Sequence, residues 1–350
     1  MADTLEKETT TSHPDPTEAD SVDVVLEYDD SPEEDFTKYS YFPIKFPVLE
    51  KYYQRQKDVF WTAQEIDYRE DRKDWDRLDT DTAQFIKFIL FFFAQADGIV
   101  NENLIENFKR ETGEYKEARM FYAAQEFIEV GHNETYSMLI EAFIRDPVEK
   151  TKAFNAIMHY PSIRKIANWI FAWMRSDRPL IERVIAFACV EGMFFSGAFA
   201  GIYWIKRKNI LKGLCKANEF IARDEALHTE FAIALYHVLT AVDKKYQPLP
   251  EARVHEIIGG AMEAAEEFTR DALRVDLIGM NADHMVDYVK CTANRLSESL
   301  GYKKIYDVEN PFEWMAVIGL PNKSNFFETR VSEYGRQSTA DFEFDLDTDF

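Results

Sequence analysis

Apolar residues recur at three- and four-residue spacing along most of the chain, from Tyr39 to about Gly319. This spacing matches the 3.6-residue period of an α-helix, and no alternating ladder typical of strands interrupts it. Gly and Pro are few, at 13 and 12 of 350 residues, so the composition is compatible with long helices. The pattern therefore predicts one all-α domain, a helical bundle over residues 37–320.

Four of the predicted helices carry isolated polar residues on faces that are otherwise apolar. The first helix begins at an N-cap at Thr80 or Asp81, and the second spans about Glu114 to Arg145. The third is apolar on all sides except at one acidic residue, and the fourth continues to about Leu235. The inward polar residues are Asp97 on the first helix, Glu129, His132 and Tyr136 on the second, Glu191 on the third, and Glu225 and His228 on the fourth.

Four carboxylates on buried faces need compensation, because an ionised acid in an apolar interior is costly unless it is paired, protonated or bound to metal. No Lys or Arg occupies a matching inward position, whereas two divalent cations would balance the four charges. Two of the acids begin a Glu-x-x-His pair, Glu129 with His132 and Glu225 with His228, whose members share one helix face. Such pairs on two helices, with one carboxylate from each of two others, predict a dinuclear site for iron or manganese in the bundle core.

Two plainer interpretations compete with this one. A single Glu-x-x-His pair is more often a surface ion pair than a metal site. The third helix, Val184 to Trp204, is also long enough to cross a membrane, and Gly197 and Gly201 have the spacing of a membrane dimerisation motif. Glu191 near its centre would cost roughly 2.5–3.5 kcal/mol in a bilayer. No second segment of comparable apolarity is expected, so a buried bundle helix is the better interpretation.

Tyr136 lies four residues after His132 and therefore on the same helix face, beside the predicted metals. It is either an ordinary core tyrosine or a one-electron reductant for a metal pair that activates dioxygen. A radical on this phenol would survive only behind an apolar shield. Phe195 and Phe199, which follow Glu191 by one and two turns, and Ile221, one turn before Glu225, are the candidates.

Composition and charge limit the other functions. The net charge of −22 comes mostly from the ends: residues 1–36 carry 13 acids and one Lys, and the last 12 residues carry five acids and no base. No basic stripe or phosphate-binding glycine motif is found, which argues against nucleic-acid and nucleotide binding. The three cysteines have no CxxC spacing, and the N-terminus has no apolar signal segment, so we expect a cytoplasmic protein. Residues 1–36 are expected to be a disordered leader and 321–350 a flexible tail.

The motifs together resemble the small, radical-generating subunit of class I ribonucleotide reductase, in its eukaryotic-type branch. The likeness runs from about Tyr39 to Phe350. It rests on FWTAQEID, ADGIVNENL, EARMFY, EVGHNETYS, VEGMFFSGAFA, ARDEALHTEF, IGMN, ENPFEWM, KSNFFETRVSEYGR and the terminal FDLDTDF. Gly131 and Asn133 depart from the family pattern, and since Gly costs about 1 kcal/mol in a helix, local irregularity is expected there.

The resemblance implies a ferritin-like fold, a homodimer and a large catalytic subunit as partner. It implies two iron ions joined by an oxo bridge, or manganese in their place, and a tyrosyl radical on Tyr136. Trp61 and Asp224 match the family's electron relay, and Tyr334 matches the tail tyrosine that hands the radical on. The implied metal ligands are Asp97, Glu129, His132, Glu191, Glu225 and His228, and the implied docking residues of the tail are Phe344, Leu346 and Phe350.

The implied activity is the reduction of ribonucleoside diphosphates to deoxyribonucleotides by the two-subunit enzyme. The main alternative is a stand-alone diiron or manganese–iron oxidase of the same fold. A ferritin-like iron store and a purely structural bundle are the remaining alternatives.

Overall fold

The structure is a computed structural model that describes residues 36–174, 177–274, 277 and 279–312. Residues 36–42 belong to a small unit of their own, in which Phe36–Tyr39 form a short 3-10 helix. The second unit starts at Pro43. Nearly all of the predicted leader and the whole predicted tail lie outside the described residues, so the division of the chain into leader, helical domain and tail stays a prediction.

The second unit is built from α-helices, with a 3-10 turn at Ala63–Glu65. The described residues contain no strand, only an isolated bridge between Leu277 and Met280. The all-α prediction is therefore confirmed. The helices are α1 (Pro47–Asp58), α2 (Asp71–Trp75), α3 (Thr80–Asn103), α4 (Lys109–Glu111), α5 (Lys116–Phe143), α6 (Pro147–Ala153), α7 (Ala156–His159), α8 (Pro161–Met174), α9 (Leu180–Cys189), α10 (Phe195–Arg207), α11 (Lys212–His237), α12 (Glu251–Ala272) and α13 (Ala282–Ser299).

The long helices form a closed ring around the core of this unit. Helix α3 packs on α5, α5 on α11, α11 on both α9 and α10, and α10 on α3. Helix α1 lies across α5 and α11, while α12 packs against α8, α9 and α13. The core of the ring is apolar and aromatic, with Phe93, Phe121, Phe195 and Phe231 fully buried. These helices correspond to the four that the sequence predicts to carry inward polar residues, with α9 and α10 together forming the third.

Three π-helical segments continue the long helices, at Leu104–Phe108, Val190–Phe194 and Val238–Val242. The second joins α9 to α10 and contains Glu191. A π turn holds more residues than an α turn, so it changes the direction in which a side chain leaves the helix, and such turns are frequent at functional sites. The sequence pattern did not predict these segments.

Two local expectations are wrong. Helix α3 is capped by Asp79, which accepts a hydrogen bond from the Thr82 amide at 2.8 Å, and not by Thr80 or Asp81. Gly131 does not disturb its helix, since α5 is continuous from Lys116 to Phe143. Helix α5 packs on α1, α3 and α11. Tertiary packing of this kind outweighs the propensity cost of one glycine.

Two helices, Thr80–Glu111 and Leu180–Arg207, are long and apolar enough to cross a membrane. The expectation of a single such segment is therefore wrong. Most of the apolar window of each helix is buried inside the fold, 67% of the first and 83% of the second. Asp97 and Glu191 lie within them, and a buried acid is rare in a membrane span. Both are therefore best described as core helices of the ring.

Gly201 allows α10 to approach α3 closely. A Cβ atom at this position would lie 2.5 Å from Cζ of Phe85 and 3.0 Å from Cδ1 of Ile89. Real side chains do not tolerate such contacts without movement. The glycine therefore serves helix packing within the ring, and the membrane dimerisation motif is not needed to explain it.

We expect Gly201→Ala to lower the free energy of unfolding by about 1–3 kcal/mol, because the added methyl overpacks the contact with Phe85. Gly259→Ala on α12 is the matched control, since no described heavy atom lies within 4 Å of its Cβ position. The control should stabilise the protein by about 0.4–1 kcal/mol. Urea unfolding of both variants, followed by circular dichroism, checks this, and equal effects at the two glycines would contradict it.

Candidate metal centre

The six predicted ligands come from four elements and meet in the core of the helical ring. They are Asp97 on α3, Glu129 and His132 on α5, Glu191 in the π segment between α9 and α10, and Glu225 and His228 on α11. Each is at most 2% exposed. We call these six residues the carboxylate–histidine cluster. The structure brings all of them together, while their role as ligands stays a prediction.

Two glutamates lie between the two imidazoles of the cluster. One carboxylate oxygen of Glu129 is 3.2 Å from Nδ1 of His132, and the other is 3.0 Å from Nδ1 of His228. The oxygens of Glu225 are 3.0 Å and 3.3 Å from the same two nitrogens. Both imidazoles therefore present Nδ1 to the same pair of carboxylates.

The ligand atoms fall into two groups, in each of which all atoms lie within 4.8 Å of one another. Glu129 belongs to both groups, so two cations held there would share a carboxylate. Asp97 is found only in one group and Glu191 only in the other. The first group is Asp97, Glu129 and His132, and the second is Glu129, Glu191, Glu225 and His228.

Asp97 and Glu191, which each belong to only one of the two groups, are unfavourable as anions in this environment. Burial, followed by the charge of Glu129, raises the pKa of Asp97 well above its usual range. Burial, followed by the charges of Glu225 and Glu129, does the same to the pKa of Glu191. Both groups therefore favour the protonated form while no cation is bound.

The two histidines respond in the opposite sense. Burial alone would lower the pKa of His228, but Glu129 and Glu225 raise it to about 9. Burial would likewise lower the pKa of His132, and its hydrogen bonds to Asp224, Glu129 and Glu225 raise it well above its usual value. Without metal, protons on Asp97, Glu191 and the two histidines therefore balance the negative charge of the cluster.

The donor set fits two divalent cations. Among the described residues, Oδ2 of Asp97 and Oε2 of Glu191 are buried without a hydrogen-bond partner. No Lys or Arg of the described part of the chain pairs with a carboxylate of the cluster. Orphaned buried oxygens of this kind call for a missing positive partner. Mixed carboxylate and imidazole ligation suits iron or manganese.

The outer nitrogen of His132 leads to a buried carboxylate and an indole. Its Nε2 lies 3.3 Å from Oδ2 of Asp224, and the Trp61 indole donates to the same oxygen at 2.7 Å. The rings of Trp61 and His132 stack with centroids 6.1 Å apart. Trp61 and Asp224, both predicted from sequence, thus form a continuous hydrogen-bonded series with His132.

Two glutamines that were not among the predicted site residues also contact the cluster. Nε2 of His228 lies 3.1 Å from Oε1 of Gln56 on α1. Gln125 donates through Nε2 to Glu191 at 2.9 Å and to Glu129 at 3.3 Å. Gln125 lies one turn before Glu129 on the inward stripe, which could have identified it. Gln56 has no such signal, because its contact depends on how α1 crosses α11.

Tyr136 is fully buried, and its hydroxyl has no hydrogen-bond partner among the described residues. Its ring stacks on Phe93 with centroids 4.4 Å apart and an interplanar angle of 6°. Phe195 and Phe199 pack against Phe93, at 5.7 Å and 5.1 Å. The direct ring partner of the phenol is therefore Phe93, which the sequence analysis did not name as a shield.

The remaining predicted residues are less informative. Ile221 is buried in the common core on α11, one turn before Glu225. Tyr334, Phe344, Leu346 and Phe350 lie outside the described residues.

A cavity of about 390 Å³ opens between α3 and α5, and its lining includes Asp97, Glu129, Ile105 and Val130.

The fold and the cluster define a class of protein: a helical protein whose core contains a carboxylate–histidine cluster that could bind two metal ions. The family model for the small chain of ribonucleotide reductase matches residues 38–311. The chain therefore belongs to the ribonucleotide reductase small-chain family, and it serves as the small subunit of a ribonucleoside-diphosphate reductase.

Relatives from distant organisms support this assignment. The chain is 43% identical over 321 residues to a ribonucleoside-diphosphate reductase small chain of Nicotiana tabacum, covering 89% of this chain and 95% of the relative. It is 44% identical to the subunit M2 of Mesocricetus auratus, covering 89% of this chain and 80% of that protein. A solved structure of the ribonucleotide reductase Rnr4 homodimer of Saccharomyces cerevisiae is 31% identical, with a TM-score of 0.69 over 78% of this chain and 85% of that one. The family recognised from the sequence motifs is thereby confirmed.

We expect the affinity of the cluster for Mn²⁺ to fall as the pH is lowered. The cation must displace protons from groups whose pKa is raised, among them His228 with a pKa of about 9. Below these pKa values, each displaced proton makes the Kd rise about tenfold per pH unit. Mn²⁺ titrations of the metal-free protein between pH 6.5 and 8.5 check this.

His237→Ala is the control for this experiment, because His237 lies on the same helix but contacts the Ser299 carbonyl instead of the cluster. The control should keep the pH dependence of the parent. A Kd independent of pH in the parent protein would contradict the proton-filled cluster.

Proposed function

We propose that the carboxylate–histidine cluster holds two iron ions, or manganese in their place, and that the chain uses them with dioxygen to form a stable radical on Tyr136. The radical passes to the large subunit, which reduces ribonucleoside diphosphates to deoxyribonucleotides. A reduced metal pair would supply the activation of dioxygen and thereby the oxidant for the phenol. The observation that carries the proposal is the buried phenol, with its unpartnered hydroxyl, one turn beyond the His132 of the cluster.

Tyr136 holds its proton firmly. Burial, followed by the charges of Asp97 and Glu225, raises the pKa of this phenol well above its usual value. A phenol that stays protonated is oxidised only if its proton leaves with the electron. The stacked Phe93, and Phe195 and Phe199 beyond it, exclude water from the ring face and would protect the radical.

The relay toward the large subunit begins at His132. Asp224 accepts hydrogen bonds from the Trp61 indole and from Arg223, and it lies within hydrogen-bond distance of His132. This arrangement orients the imidazole and gives Trp61 a proton acceptor at 2.7 Å when an electron is withdrawn from its ring. Tyr334 and the tail residues Phe344, Leu346 and Phe350 continue the route and dock on the partner in this proposal. The acidic, aromatic tail suits a basic-rimmed groove.

Assembly and compartment are part of the same proposal. The homodimeric yeast neighbour supports a homodimer for this chain. All three cysteines are free, and Cys189 and Cys215 are buried, which is typical of a reducing compartment such as the cytoplasm. The leader, helical domain and tail keep the bounds 1–36, 37–320 and 321–350.

We expect Tyr136→Phe to abolish the tyrosyl signal in electron spin resonance spectra, because the variant lacks the oxidisable phenol. Iron(II) and oxygen are added to the metal-free protein before the spectrum is recorded, and bound iron is counted separately. The variant should still bind two irons per chain, since Tyr136 is not among the cluster ligands.

Tyr122→Phe is the matched control for this variant. Tyr122 lies on the same helix, is also buried, and its hydroxyl also lacks a hydrogen-bond partner among the described residues. The control should keep the signal. A signal that survives in Tyr136→Phe, or disappears only in Tyr122→Phe, would place the radical elsewhere.

We expect deletion of residues 344–350 to remove reductase activity with the large subunit while the tyrosyl signal and the iron content remain. The deletion takes away the proposed docking peptide and leaves the helical ring intact. Activity assays with added large subunit, paired with spin resonance, check this. Full reductase activity of the shortened chain would contradict the docking role of the tail.

A further inference from the structure

The two imidazoles of the carboxylate–histidine cluster have chemically different outer partners. Nε2 of His132 faces the carboxylate of Asp224 at 3.3 Å, whereas Nε2 of His228 faces the neutral amide oxygen of Gln56 at 3.1 Å. On their inner sides the two rings are alike, because each Nδ1 lies within 3.3 Å of both Glu129 and Glu225. The difference between the two positions is therefore concentrated in the outer contacts.

Gln56 is placed for this contact and for little else. It lies on α1 and is 1% exposed, although the helix around it is largely polar. Its Nε2 has no hydrogen-bond partner among the described residues, so its amide oxygen makes the contact that accounts for its burial. A buried amide with half of its groups unsatisfied is costly, which indicates that the contact with His228 has a function.

The amide oxygen of Gln56 determines which nitrogen of His228 carries the proton. A carbonyl oxygen only accepts, so Nε2 must donate, and in the neutral imidazole Nδ1 is then the free nitrogen. That nitrogen faces Glu129 and Glu225, where a cation would lie. The contact also restrains rotation of the ring about its bond to the helix.

One short segment of chain serves both imidazoles. Gln56 reaches His228 directly, and Trp61, five residues later, reaches His132 through Asp224. Asp224 is shared with Trp61 and Arg223, so a change there disturbs several contacts. Gln56 serves His228 alone, which makes it the cleaner position for an experiment.

We propose that Gln56 is the positioning residue of His228 and controls, selectively, the cation position that His228 forms with Glu191. This inference rests on the metal centre of the proposed function. Outer-shell partners of metal-bound histidines are worth about 10–100-fold in metal affinity. Loss of the Gln56 oxygen therefore weakens one of two binding events and leaves the event at His132 and Asp97 unchanged.

The test is a titration of the metal-free, full-length chain with Mn²⁺ alone, in which free Mn²⁺ is followed by electron spin resonance. The parent chain should bind two Mn²⁺. In Gln56→Met, a side chain of similar length without an acceptor, the Kd of one event should rise about 10–100-fold. Gln56→Glu restores an acceptor oxygen and should bind both ions at close to the parental affinity.

Gln54→Met is the matched control, because Gln54 lies on the same helix but donates to Glu50 at its surface. It should bind Mn²⁺ like the parent. Two parental affinities in Gln56→Met would overturn the proposal. Equal weakening in Gln56→Met and Gln56→Glu, with unchanged helicity and Tm of the metal-free chains, would also overturn it and assign Gln56 to packing.

The same titration separates this inference from the proposed function. A parent chain that binds fewer than two Mn²⁺ would overturn the metal centre itself. A parent chain that binds two, with Gln56→Met unaffected, would overturn only the role of Gln56. A parent chain that binds two metals but forms no radical would leave the result for Gln56 standing.

Discussion

The burial of four carboxylates in an apolar core is the constraint on which the rest of the structure depends. Taking such charges out of water costs several kcal/mol each, and no Lys or Arg of the described residues pairs with them. Without metal, raised pKa values keep protons on Asp97, Glu191 and the two histidines. Two divalent cations would replace those protons at a site that packing has already assembled, so metal binding and proton release are one process.

The apolarity of the ring helices follows from the same constraint. The proposed radical and metal site would both require that water be excluded, and long apolar helices exclude it. Two of them reach the hydropathy of membrane spans although most of their apolar windows is buried inside the fold. The π segment at Val190–Phe194 changes the helical phase where Glu191 must turn inward. The regular α-helix is thus interrupted at Glu191, one of the six residues of the cluster. Gly201 allows α10 to pack close to α3.

Much of this site could be predicted from the sequence because helical periodicity is a local property. Glu129, His132 and Tyr136 share a face by spacing alone, and the same holds for Glu225 and His228. The residues that escaped prediction depend on how helices meet: Phe93 stacks on Tyr136 across α3 and α5, and Gln56 reaches His228 across α1 and α11. The cap at Asp79 and the π segments also escaped, since they depend on local backbone geometry that the hydrophobic pattern does not record.

The Nε2 atoms of the two histidines face different groups, a carboxylate at His132 and an amide at His228, so the two sides of the cluster are chemically unequal. On the His132 side, a carboxylate connects the imidazole to an indole, and a carboxylate can accept the proton that an oxidised indole releases. On the His228 side, the amide of Gln56 orients the ring but is not a base at neutral pH. In the proposed function, an oxidising equivalent would therefore have a proton-coupled route past Trp61 and none past Gln56. Two carboxylates would offer two such routes, whereas one carboxylate and one amide would offer only one.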